Sequence, residues 1–97
     1  MALSDTLKAI SDPVRREILE SLKEDKLTAG EIAQKFNLTN ATMSYHLKEL
    51  KKAELILETK VKNYRYYELN ISVFEEVLIW IKNLGGKKQW VKVKRNY

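Results

Sequence analysis

In the stretch "LTNATMSYHLKELKKAELI", residues 38–56, Met43, Leu47 and Leu50 recur at helical spacing and define a buried edge. At about 100° per residue, Ala41, Tyr45, Lys48 and Lys52 lie within about 40° of the direction opposite that edge. Thr42 and Ser44 flank that direction, and Asn40 projects from the first turn. Amide and hydroxyl groups donate and accept hydrogen bonds, alanine lets another surface approach, and lysines meet anions. A helix that enters a DNA major groove needs this combination, with polar groups matched to base edges and cations to phosphates. Tyr45 can pack on a thymine methyl or bond to a phosphate. Any one helix of this composition is more often a solvated polar face, so the neighbouring elements must decide between the two.

Other chemistry is poorly supplied. The single histidine, His46, sits about 60° from the buried edge, where it packs at the side of a core. With no cysteine and no second histidine, a zinc site would need carboxylates or water for its other ligands, so no metal is expected. No Gly-rich phosphate loop and no nucleophile–base pair with a supporting motif is present, and the scattered Ser, Asp and Glu residues serve as caps or surface. An enzyme, a cofactor and a small-molecule substrate are therefore not implied.

The formal charge of +5 needs dividing before it is used. Lys87, Lys88, Lys92, Lys94 and Arg95, with no acid among residues 87–97, account for all of it, leaving thirteen basic against thirteen acidic residues before them. Within that neutral body, residues 39–65 hold Lys48, Lys51, Lys52, Lys60, Lys62 and Arg65 against only Glu49, Glu54 and Glu58. The electrostatic footprint falls on the polar helix and the segment immediately after it.

The elements that must position these residues carry clear boundaries. Leu3, Leu7 and Ile10 suggest a short first helix, and in "SDP" Asp12 or Ser11 can cap a second one with Pro13 at its first position. Val14, Ile18, Leu19 and Leu22 continue that second helix at the 3.6 period. Thr28 and Glu31 are in capping-box register, with Leu27 and Ile32 at the staple positions, so a helix from Ala29 to about Phe36 is predicted. "NLT" then makes a three-residue turn, and Thr39 caps a helix to about Ala53. Two short helices joined by such a turn form the helix-turn-helix pattern. "LILETKV" and "YRYYEL" come next as a β-hairpin with Lys62 and Asn63 near its tip, where no glycine specifies the turn type. Alternation puts Tyr67 and Leu69 on one side of it and Tyr66 on the other. As a wing beside the polar helix, Lys60, Lys62 and Arg65 would grip phosphates; alone they would be an ordinary charged edge.

Residues 71–84 return to the helical period and Gly85–Gly86 end it. Val73, Phe74, Val77, Leu78, Trp80, Ile81 and Leu84 span about 160°, from Trp80 to Leu78, wider than one core-facing stripe requires. A second buried contact is implied, and a homodimer seam over Leu3, Leu7, Val73, Val77, Trp80 and Leu84 supplies it. Such a seam would also help a chain of 97 residues, which buries a low fraction of its surface alone. The N-terminus has neither the basic region nor the apolar core of a signal peptide, so a cytoplasmic protein is expected.

The order of elements, with Asp12-Pro13 and Arg15-Arg16, with Ser44-x-His46-Leu47-x-x-Leu50, and with Tyr66-Tyr67-x-Leu69, resembles the ArsR family of bacterial winged-helix repressors over about residues 7–84. The resemblance implies a dimer through the first and last helices, with recognition helices in successive major grooves and wings on the flanking backbone. It carries DNA contacts to Asn40, Ala41, Ser44 and Tyr45, and to Lys62 and Arg65 on the wing. Many members release DNA when a metal binds to cysteines before the recognition helix or to an Asp/His set on the last helix. Here residues 31–36 contain no cysteine, and Asn70, Ser72 and Asn83 stand at or beside the last-helix places. The chain is closer in length and in missing ligands to small sensorless autorepressors of the SdpR type, for which a regulatory protein partner can sequester the repressor.

The expectation is thus a mainly α protein with a β-hairpin wing, a dimeric winged helix-turn-helix in the order α-α-α-α-β-β-α. Residues 1–86 form the DNA-binding and dimerisation domain and 87–97 a basic tail, whose Val/Lys alternation fits a strand or an arm on DNA or acidic lipid. The partners are double-stranded DNA and a second copy, with base reading by Asn40, Thr42, Ser44 and Tyr45, with Thr39 and Ala41 also in the DNA-binding set, and with Lys48, Lys60, Lys62 and Arg65 on phosphates. The rival expectation is a winged-helix module that binds protein instead of specific DNA.

Overall fold

The computed structural model describes residues 2–86. The chain runs α1 (Leu3–Ile10), α2 (Pro13–Ser21), β1 (Leu27–Thr28), α3 (Ala29–Lys35), α4 (Asn40–Lys52), β2 (Ile56–Val61), β3 (Tyr64–Leu69) and α5 (Ile71–Leu84). This is the expected winged helix-turn-helix with one added element. Leu27 and Thr28 pair antiparallel with Tyr67 and Tyr66, so the sheet has the order β1-β3-β2. Two residues are too few to show a period of their own, and β1 exists only through its partner. The alternation expected of the tail lies outside the described residues.

The starts of α2, α3 and α4 have the predicted chemistry. The Asp12 carboxylate accepts the Arg15 N–H at 3.0 Å with Pro13 at the first helical position. The Thr28 hydroxyl accepts from Glu31 N at 3.1 Å, while Glu31 accepts from Thr28 N at 2.9 Å. Thr39 accepts from Thr42 N at 3.1 Å. The two arginines after Pro13 close the preceding helix: Arg15 Nε donates to the Ala9 carbonyl at 2.9 Å and Arg16 Nη1 to that of Ile10 at 2.8 Å. Cations at the last carbonyls also suit the negative end of α1. "DPVRR" therefore ends one helix and begins the next.

The C-terminus of α4 is less expected. Leu55 N donates to Leu50 O at 3.0 Å and Glu54 N to Lys51 O at 2.9 Å, a Schellman motif, with Glu54 in the left-handed region at φ 62°. Glycine usually takes that place. Leu50 and Leu55, the apolar pair of the motif, are both fully buried.

Ile18, Leu19, Leu22, Ile32, Met43, Leu47, Leu50, Leu55, Ile56, Tyr67 and Val73 share one core. Tyr67 faces it and Tyr66 lies on the opposite strand face, as alternation requires. α1 turns Thr6 and Ala9 inward rather than its leucines, and the Thr6 hydroxyl lies 3.2 Å from both the Ala2 and Ala53 carbonyl oxygens. Leu3 is half-buried and Leu7 exposed.

The dimer seam expected from sequence needs a correction on α5. Val73 and Val77 are 4% and 8% exposed within the single chain, and Phe74 packs beside them. Val73 anchors α5 to the core and both valines are covered within the single chain, so neither offers surface to a seam. Trp80 and Leu84, at 41% and 67% exposure, lie past the end of that core with Leu78, Ile79 and Ile81. Periodicity places residues around a helix but says nothing of how far along it the core extends.

Candidate nucleic-acid interface

α4 is held from beneath. Met43, His46, Leu47 and Leu50 are buried, and α4 touches α1, α2, α3 and β2. Thr39, Asn40, Ala41, Thr42, Ser44, Tyr45 and Lys48 are all exposed. The Thr39 hydroxyl is partly committed: besides capping, it donates to the Thr42 hydroxyl at 2.9 Å, which leaves Thr42 its own proton to offer. Tyr45 packs edge-on against His46 at 5.5 Å between ring centroids and borders a polar hollow of about 160 Å³ with Asp5, Lys8, Arg15, Glu49 and Lys52.

His46 has the structural role expected of it. Its Nδ1 lies 3.4 Å from Arg15 Nη1, so with Arg15 as donor the imidazole carries its proton on Nε2. The hydrogen bond from Arg15 N, aided by the nearby Arg15 charge, outweighs burial and holds the Asp12 carboxyl below its ordinary value. Recognition helix and α1–α2 corner are thus tied by one cluster of polar groups.

The hairpin pairs Ile56 with Leu69, Glu58 with Tyr67 and Lys60 with Arg65 on one face. Lys62 and Asn63 are its two loop residues, and Lys62 has φ 57° at the first of them, the place where a II′ turn prefers glycine. Lys60, Lys62 and Arg65 are all exposed. Lys60 and Lys62 stand at the tip, whereas Arg65 lies 3.4 Å from Glu58 Oε1.

That carboxylate is the feature missed by sequence reasoning. Glu58 Oε1 also accepts from Lys51 Nζ at 2.7 Å, and Oε2 accepts from the Tyr67 hydroxyl at 2.7 Å. The bonds from Lys51 and Tyr67 outweigh burial and hold the Glu58 carboxyl below its ordinary value. Burial and the adjacent carboxylate push the Tyr67 phenol up to about 12. In sequence Glu58 and Lys51 count only as charges, because their meeting depends on how the hairpin folds against α4.

A polar helix face beside a cationic wing, both fixed on one core, can recognise a duplex. A family model described as a helix-turn-helix domain matches residues 10–59. Over 85 residues the chain is 41% identical to the transcriptional repressor SdpR of Bacillus subtilis (strain 168), spanning 88% of this chain and 94% of that one. The chain belongs to the ArsR family of helix-turn-helix repressors. Like its ArsR relatives it is a DNA-binding transcriptional repressor and not an enzyme. An ArsR-like transcriptional regulator from Rhodococcus sp. RHA1 has the same fold, with a TM-score of 0.81 at 22% identity over 88% of this chain and 80% of that one. So does the homodimeric winged helix-turn-helix DNA-binding domain Mb0332 from Mycobacterium bovis, with a TM-score of 0.71 at 18% identity over 98% and 87% of the two chains.

α3 has no cysteine, and Asn70, Ser72 and Asn83 supply no imidazole or carboxylate to α5. Among the described residues no three His, Cys, Asp or Glu side chains gather where an ion could bind.

Proposed function

We propose that this repressor works as a homodimer on a palindromic operator, with α4 of each copy in successive major grooves and without direct metal sensing. The carrying observation is the division of α4: its buried side fixes the helix, and Asn40, Ala41, Thr42, Ser44 and Tyr45 are left exposed to read bases. Thr39 belongs first to the helix start and reaches DNA only from that position. Lys48, Lys60, Lys62 and Arg65 serve phosphates. The seam is formed by Leu3 and Leu7 of α1 with Trp80 and Leu84 of α5, and the homodimeric relative with this fold supports it. A regulatory protein that sequesters the repressor would take the apolar surface of α5 that one seam leaves uncovered. The basic side chains of residues 87–97 add sequence-independent affinity.

Selection of bound sites from random duplex DNA, followed by titration across salt, tests this. The expected result is a palindrome and a slope of log affinity against log salt of about −0.9 per neutralised phosphate. Weak binding that ignores salt, with no preference for any selected site, would instead favour a protein-binding module.

A further inference from the structure

Glu58 is unlike the other charges of the wing. Its side chain is 16% exposed, and three partners from two other elements converge on it: Lys51 of α4, and Tyr67 and Arg65 of β3. Both carboxylate oxygens are engaged. It also stands two pairs inward, on the same strand face, from Lys60 and Arg65, like charges that face each other across the strands and repel. By drawing Arg65 inward, Glu58 relieves that repulsion.

The contacts differ in tightness. Lys51 and Tyr67 each approach to 2.7 Å, whereas Arg65 stays at 3.4 Å, beyond ordinary N–H···O bonding, with its side chain 60% exposed. Both Glu58 oxygens are already taken by Lys51 and Tyr67, whereas a free phosphate can accept two parallel bonds from a guanidinium held this loosely. We propose that Glu58 is a positioning residue that fixes the wing against the recognition helix, and that on DNA a backbone phosphate replaces it as the partner of Arg65. Lys51 and Tyr67 stay on Glu58, so the wing keeps its angle while its arginine changes hands. This rests on the DNA contacts proposed above.

The test measures binding by fluorescence anisotropy across salt for the wild type, Arg65→Gln and Glu58→Gln, each on a selected site and on random duplex. If Arg65 transfers, Arg65→Gln makes the salt slope shallower by about 0.9. Glu58→Gln then keeps the wild-type slope, binds random duplex several-fold more tightly at low salt because no ion pair must be broken, and loses preference for the selected site. If Arg65 instead remains on Glu58, Arg65→Gln leaves the slope unchanged and Glu58→Gln steepens it by about 0.9, which overturns the exchange. An undiminished site preference in folded Glu58→Gln overturns the positioning role. Should Glu58→Gln not fold, Tyr67→Phe replaces it: the ring stays, only the hydrogen bond goes, and site preference must still fall. A wild type with no salt dependence would sink the DNA contacts themselves, a different failure from an unchanged Arg65→Gln slope.

Discussion

Lys62 sits at φ 57°, where an L side chain is strained, yet it occupies the tip of the wing where a cation is wanted. Lys62→Gly should therefore raise stability, by under about 1 kcal/mol once the freer unfolded chain is counted, while weakening DNA binding. Thermal melts and anisotropy should move in opposite senses; a fall in both would mean that the turn is unstrained. The titrating groups set a second expectation at this scale. Asp12 and Glu58 are held below their ordinary values of 3.8 and 4.5, so their contribution is full above those values and is lost as pH falls through the lower folded ones. Tyr67 is pushed from 10.0 up to about 12, so its contribution is full below 10.0 and is lost as pH rises toward 12. Melting temperature should plateau between these limits, and Tyr67→Phe should shrink the alkaline decline. An unchanged alkaline limb in that variant would refute the assignment. The Glu58 cluster is not legible in the sequence, since Glu58 meets Lys51 and Tyr67 only after three elements have assembled.

At the scale of elements, much more is legible. Asp12, Thr28 and Thr39 cap as their types and spacing require, because an N-cap is decided by a few consecutive residues. α3 has only seven residues and cannot persist as an isolated helix, so its capping box matters more than its length suggests. Thr28→Ala should cost about 1 kcal/mol in denaturant unfolding, while Glu24→Ala, in the exposed turn before it, should cost little. Equal effects would argue against the box as a source of stability. β1 and the end of α4 are not legible: β1 is defined by its pairing with β3, and Glu54 does what sequence rules assign to glycine. Likewise, α1 buries the small Thr6 and Ala9 in place of the leucines that set its period.

At the scale of the molecule, the unsettled surface is the outer half of α5. Leu78, Ile79, Trp80, Ile81 and Leu84 are exposed where Val73 and Val77 no longer connect the helix to the core. If Trp80 and Leu84 form the seam, replacing both with glutamate should yield a folded monomer in sedimentation experiments, with little change in the circular dichroism of the domain and a large loss of operator affinity. A dimer that persists would place the seam elsewhere. Charge at this scale is legible by counting, because the neutral body and its local basic excess are properties of composition.

The two sides of α4 have separate duties. Met43, His46, Leu47 and Leu50 hold the helix, and Asn40, Ala41, Ser44 and Lys48 are exposed side chains outside the core. Drift at those four places therefore has little bearing on folding. If these side chains read the operator as proposed, a lineage carrying this scaffold can change which promoters it silences through a few substitutions, without first passing through an unstable ancestor.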